Sequence, residues 1–213
     1  MQVIYKTPEE IEGIRVSSLL VGDTLSQVAA AIRPGVKTRD LDLLAETFIR
    51  DHDAVPAFKG YHGFPASLCI SVNDEVVHGI PGDRELKEGD IISIDCGVKK
   101  DGLFGDSAYT FSVGEIDEGT RKLINVTKQC LADAIAVATK GKRIGDISHA
   151  VQELAENSGF TVVRELVGHG VGKKLHEKPE VPNYGKRGRG VQLKEGMVLA
   201  IEPMINSGKR SIR

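Results

Sequence analysis

No run of apolar residues in this 213-residue chain approaches the ~18 that would suggest a membrane-crossing helix. The amino terminus, Met1-Gln2-Val3-Ile4 leading into Lys6-Thr7-Pro8-Glu9-Glu10, lacks the apolar core of a signal peptide, so a cytosolic location is expected. Cysteine is scarce: Cys69, Cys96 and Cys130 are odd in number and widely spaced. They form neither a disulfide framework nor a zinc pattern, which suits a reducing compartment. A net charge of −2 offers no excess for non-specific nucleic-acid binding. The basic residues Lys173-Lys174, Lys186-Arg187, Arg189 and Lys209-Arg210 read as solvated surface. There is no Gly-x-Ser-x-Gly elbow to support Ser/His/Asp catalysis. Gly168-x-Gly170-x-Gly172 has neither the spacing nor the preceding βαβ unit of a nucleotide loop. What remains, 40% hydrophobic and 27% charged, is an ordinary globular chain long enough for one sizeable core.

The chain spells one segment twice. Residues 86–95 read Leu-Lys-Glu-Gly-Asp-Ile-Ile-Ser-Ile-Asp, and residues 193–202 read Leu-Lys-Glu-Gly-Met-Val-Leu-Ala-Ile-Glu. Each opens with the same turn, runs through mostly apolar residues and ends on an acid, Asp95 or Glu202. A shift of 106 residues also aligns Glu12-Gly13 with Glu118-Gly119, Arg15 with Arg121, Gly35 with Gly141 and Asp40 with Asp146. A period this long suggests a half-domain copied and fused, not a solenoid. One domain over 1–213 is expected, with halves of about 1–115 and 116–213.

Thr7-Pro8-Glu9-Glu10 starts a helix that runs to about Ile32, and Thr38 to Arg50 forms a second. Residues 52–66 read as loop, Ser67 to Val72 as a strand and Val76 to Gly79 as its continuation. Ile91 to Cys96 and Phe104 to Ser112 read as a hairpin. In the second half, Gly119 to Thr139 and Ile144 to Ser158 read as helices and Thr161 to Leu166 as a strand. Residues 168–172 read as a glycine-rich loop, followed by a Pro-rich stretch 179–182 and a strand ending at Glu202. Helices and antiparallel strands in runs indicate an α+β fold.

Asp is depleted inside strands, so Asp95 and Asp106 stand out from Asp74, Asp83, Asp90 and Asp101, which lie in turns. A tight hairpin can set two such carboxylates side by side, Cβ atoms ~5 Å apart, where protonation or a cation relieves their repulsion. A lone strand Asp ordinarily faces solvent, and a lone His is ordinarily structural. Gly168-His169-Gly170-Val171-Gly172 beside three candidate acids favours His169 as a ligand. Oxygen-rich sets with one imidazole suit a pair of hard or borderline divalent ions. Two ions ~3.5 Å apart would hold a bridging hydroxide and clamp a tetrahedral intermediate, which describes amide hydrolysis. Tyr61-His62-Gly63-Phe64-Pro65 and Cys69 could line an apolar pocket or simply fill the core.

These motifs resemble the type I methionine aminopeptidases. The resemblance is carried by Tyr61-His62-Gly63-Phe64-Pro65, Val77-His78-Gly79-Ile80-Pro81, Asp95 with Asp106, Gly168-His169-Gly170-Val171-Gly172 with His176, and Ile201-Glu202-Pro203-Met204. It extends from Ile4 to Arg213. It implies the pita-bread fold, two pseudo-symmetric halves around a dinuclear site. It further implies Asp95, Asp106, His169 and Glu202 as ligands of two divalent ions, manganese, iron, cobalt or zinc. His78 would bond the substrate or scissile amide, His176 would stabilise the carbonyl oxygen, and Glu202 would act as general base with a bridging hydroxide. Tyr61, His62, Phe64, Cys69 and Leu175 would bind the substrate, with Phe58 standing where some relatives carry Cys. The implied partners are nascent polypeptide N-termini and the ribosome, with the protein a monomer.

The family's fifth ligand, a Glu about thirty residues beyond the Ile-Glu-Pro strand, has no counterpart here. By repeat symmetry, too, a returning strand with its own acid is expected beyond Arg213, since Asp106 follows Asp95 by eleven residues. Low activity and poor metal retention are therefore expected of the 213-residue form. Two other readings stand beside removal of initiator methionine. One is a proline-specific peptidase of the same fold. The other is a non-catalytic peptide- or ribosome-binding relative.

Overall fold

Pro8–Ala31 form helix α1 in the computed structural model, which describes residues 2–211. The ends of the expected 1–213 span, Met1 and Ile212-Arg213, lie outside the described residues. Pro8 suits the first turn because its missing N–H would be unused there, and Glu9 and Glu10 complement the helix dipole. The chain divides into two compact units. One holds Pro8–Asp117 with Gly172–Leu175, and the other holds residues 118–171 and 176–211 with the amino-terminal residues through Thr7.

The first unit contains α1, α2 (Thr38–Asp51), β1 (Val55–Pro56), β2 (Leu68–Val72), β3 (Ile91–Lys100) and β4 (Leu103–Ser112). β3 pairs antiparallel with β4 along its whole length, from Ile91↔Ser112 to Lys100↔Leu103. Its other edge takes β2 and β1. Asp101 and Gly102, both at positive φ (51° and 82°), close the hairpin in the two-residue form whose twist matches the strands. Ile92, Ile94, Cys96 and Val98 point into a core with Leu68, Ile70, Val21, Leu25, Leu41 and Ile49. Strand alternation then turns Asp95 and Gly97 to the opposite face. The core pattern thus decides where the acids go.

The second unit packs α3 (Glu118–Val137) on α4 (Ile144–Asn157), with Cys130, Ala134, Ile147, Val151, Val162 and Val181 in its core. Its strands form two small antiparallel sheets. One joins β5 (Thr161–Val162) to β9 (Ile205–Asn206). The other has the order β7 (Glu177–Pro182), β6 (Val167–Gly170), β8 (Leu199–Ala200).

Several elements differ from the sequence reading. Residues 76–79 are not a strand, although the Ile70 N–H donates to the Gly79 carbonyl at 2.8 Å. Residues 168–170 belong to β6 and not to a loop, and the prolines at 179 and 182 lie within β7. β7 flanks its sheet, where a missing N–H is tolerated. The strand expected to reach Glu202 covers only Leu199–Ala200, and Pro203 brings no N–H to extend it. The strand from Thr161 is two residues long.

Candidate metal and substrate site

Asp95 and Asp106 do not face each other across the hairpin. Asp95 pairs with Ala108 and Asp106 with Gly97, so the acids are diagonal neighbours on one face. That spacing is ~7–8 Å between Cα atoms, wider than the side-by-side arrangement expected. Cys69 is the register partner of Asp95 on β2. Burial, then the Asp95 and Asp106 carboxylates, push its thiol well above the usual range, so it stays a neutral, soft wall. Both acids are half-buried.

The same face carries an apolar cluster. Phe58, Cys69 and Leu175 are buried, with Tyr61, Phe64, Ala57 and Phe104 packed against them. Gly97 makes this possible: a Cβ there would meet the Phe58 ring at 2.5 Å. The ring therefore lies over β3 next to the acids. Leu175 arrives on a segment anchored by the Phe104 N–H, which donates to Gly172 O at 2.8 Å. At the entrance of β2, Asp42 accepts N–H bonds from Ser67 and Leu68 at 2.9 and 2.8 Å, fixing the strand that carries Cys69. Of the residues expected to bind substrate, Tyr61, Phe64, Cys69 and Leu175 thus share one cluster. His62 is exposed at φ 48°, its ring edge-on to Tyr61 at 4.3 Å. His78 is exposed at φ 60° in the loop after β2. Sequence reading missed Ala57 and Phe104, although Phe104 precedes Asp106 by two and so shares its strand face.

In the second unit, β6 sets His169 opposite Ala200 of β8, two residues before Glu202. His169 is buried and Glu202 half-buried. His169 Nδ1 lies 2.8 Å from the Gly170 carbonyl, which can only accept, so Nδ1 carries a proton. With the ring neutral, Nε2 carries the lone pair, and it lies 3.1 Å from Glu202 Oε1. Oε1 is itself buried and receives no hydrogen bond among the described residues. Two lone pairs at that distance need a proton or a cation between them. The donor types, carboxylate oxygen and imidazole nitrogen, fit a divalent metal. His176 is exposed, its ring edge-on to that of His169 at 4.3 Å.

Known proteins resemble this chain over nearly its whole length. The profile of metallopeptidase family M24 matches residues 12–213. A methionine aminopeptidase of Clostridium acetobutylicum is 53% identical over 212 residues, covering 99% of this chain and 85% of the relative. Methionine aminopeptidase 1 of Bacillus subtilis is 51% identical over 211 residues, covering 99% and 85%. The crystal structure of methionine aminopeptidase from Rickettsia prowazekii matches with a TM-score of 0.97 at 40% identity, over 99% of this chain and 85% of that one. The α+β, pita-bread architecture expected from the sequence is the one observed.

Proposed function

The chain belongs to metallopeptidase family M24, and we propose that it removes the amino-terminal methionine of nascent proteins whose second residue is small. The observation that carries the metal chemistry is the buried, unbonded Oε1 of Glu202 facing the Nε2 lone pair of His169. In this reading Asp95, Asp106, His169 and Glu202 together hold two divalent ions, from manganese, iron, cobalt and zinc. When bound, such ions polarise the scissile carbonyl and bring the pKa of a water to ~7.

The chain's own residues supply the rest. Glu202 takes the proton of the attacking water on its carboxylate, as a general base within hydrogen-bond reach must. His78 bonds the scissile amide and His176 donates to the carbonyl oxygen as charge develops there. Phe58, Tyr61, Phe64, Cys69 and Leu175 offer an unbranched thioether an apolar slot, and His62 meets the substrate at its rim. We extend the proposal to a monomer acting in the cytosol on polypeptides at the ribosome. The single net negative balance of −2 and the absence, among the described residues, of a helix apolar enough to cross a membrane are compatible with it.

The test loads metal-stripped protein with manganese and compares Met-Ala-Ser, Leu-Ala-Ser and Ala-Pro. Whatever its absolute rate, Met-Ala-Ser should turn over about 10–200-fold faster than Leu-Ala-Ser for a pocket of this kind, and Ala-Pro should not turn over. Equal cleavage of the leucine peptide would overturn the pocket assignment. Cleavage of Ala-Pro in place of Met-Ala-Ser would favour a proline-specific peptidase. Metal uptake with no turnover of any peptide would favour a binding relative.

A further inference from the structure

Among the described residues of the second unit, one ion pair is buried. Lys6 Nζ lies 2.5 Å from Glu177 Oε2, and each side chain is 1% exposed. Lys6 Nζ also donates to the Ile4 carbonyl at 3.2 Å. Its backbone N–H donates to Gly196 O at 2.7 Å. Gly196 stands at φ 82°, and a Cβ there would meet Lys6 O at 2.8 Å. The amino-terminal arm is therefore pressed on a turn that only glycine fits.

One attachment falls on β7 and the other on the turn that precedes β8. Glu177 opens β7, directly after His176, and pairs with Gly170 of β6. Gly196 closes the Leu-Lys-Glu-Gly turn that leads through β8 to Glu202. β6, which carries His169, runs between β7 and β8. One residue thus fastens both flanks of the histidine strand, beside His176 on one side and before Glu202 on the other. Stability alone does not call for charges here, because apolar side chains of similar volume generally serve a buried position as well or better. What an ion pair adds is a fixed distance and direction.

We propose that Lys6, through Glu177 and Gly196, is a positioning residue that sets the place of His176 and Glu202 for the reaction. This rests on the roles given to His176 and Glu202 above. The experiment compares Lys6→Met, Glu177→Leu and the double variant with the unsubstituted protein. It reads Tm, kcat and KM for Met-Ala-Ser with manganese, and the His176 ring signal by 15N NMR of the metal-free protein. Each single variant removes one half of the buried ion pair and should melt earlier. The double variant should regain the original Tm. Its kcat should nonetheless stay about ten- to a hundredfold low, with KM within about twofold, since small misplacements of reacting groups cost rate on this scale. The His176 signal should be shifted as well.

A double variant with full kcat, or with an unmoved His176 signal, would show that the pair only stabilises, and the proposal would be overturned. Absence of Met-Ala-Ser turnover in the unsubstituted protein defeats the aminopeptidase reading instead. The metal-free His176 signal then decides the positioning role on its own.

Discussion

The two copies of Leu-Lys-Glu-Gly make the same turn and lead to different structures. Gly89 and Gly196 share a left-handed backbone, φ 87° and 82°. After Gly89 the chain enters β3, laddered on both edges, and Asp95 sits within it. After Gly196 it enters the two-residue β8, paired among the described residues with β6 alone, and Glu202 lies beyond the strand. The turns are also held differently. The Gly89 N–H donates to Val113 O at 2.9 Å, just past the end of β4, whereas Gly196 accepts from Lys6 of the amino-terminal arm. Local sequence therefore decides the turn, and the available neighbours decide how much strand follows it. In the first copy the acid is held by a sheet; in the second it is held by a loop braced from outside.

The largest effect should come from the acid of the second copy. Glu202→Gln should lower kcat/KM about 10³-fold, the scale of a lost general base, and reduce bound metal. In the metal-free protein the same change should raise stability by about 1 kcal/mol, because an amide N–H can donate to the facing Nε2 of His169. Thermal melting with and without chelator checks both signs; a metal-free variant that melts earlier would contradict the lone-pair geometry.

Next comes the apolar cluster proposed to take the methionine side chain, which belongs wholly to the first copy's unit. Phe58→Ala should cost about 10–200-fold in kcat/KM for Met-Ala-Ser while manganese content per chain stays unchanged. Loss of metal on that substitution would mean that ring and acids are not separable.

The turns themselves give a smaller contrast. Ala at 89 meets only the Glu115 carbonyl at 3.8 Å, and its cost of about 1 kcal/mol comes from the positive φ. Ala at 196 adds the clash with Lys6 O and should cost about 2–3 kcal/mol. Urea unfolding that ranked them equal would remove the bracing role of the arm.

The smallest effect separates Asp40 from Asp146, the repeat-related acids at the helix starts. Both keep the backbone bond of the turn, Asp40 N to Lys37 O and Asp146 N to Arg143 O. Only the Asp146 carboxylate also accepts backbone N–H bonds, from Gly188 and Arg143 at 2.8 Å each, and these hold its pKa below the ordinary value. With the folded pKa below the unfolded one, its contribution is fully present above about pH 4 and is lost as pH falls through the folded value. Asp146→Asn should lower Tm at pH 7, less than Gly196→Ala does, and the difference should close on acidification. Asp40→Asn should leave Tm unchanged.

Helices were legible to within about two residues, because Pro8 follows a clear start signal at Thr7 and apolar spacing marks the rest. The hairpin was legible around Lys99-Lys100-Asp101-Gly102, but its register was not. Counting eleven residues from Asp95 to Asp106 does not reveal that a two-residue turn places the acids diagonally. The glycines of β6 read as loop, and only its neighbours β7 and β8 show that a strand is needed there. His169 and Glu202 belong to the ligand set that the sequence suggests, but the reason these two meet, the antiparallel step between His169 and Ala200, is a tertiary fact. Lys6 carried no signal at all, since one lysine in a charged opening looks like any solvated residue.

The ten uninterrupted pairs of the β3–β4 ladder have one more consequence. A slip of one residue would turn every β4 side chain to the other side, carrying Asp106 away from Asp95 and Phe104 away from Phe58 together. Asp101-Gly102 would then no longer span the gap. A misaligned hairpin is thus silent instead of miswired: the pairing of the acids and the packing of the apolar cluster are lost in the same event.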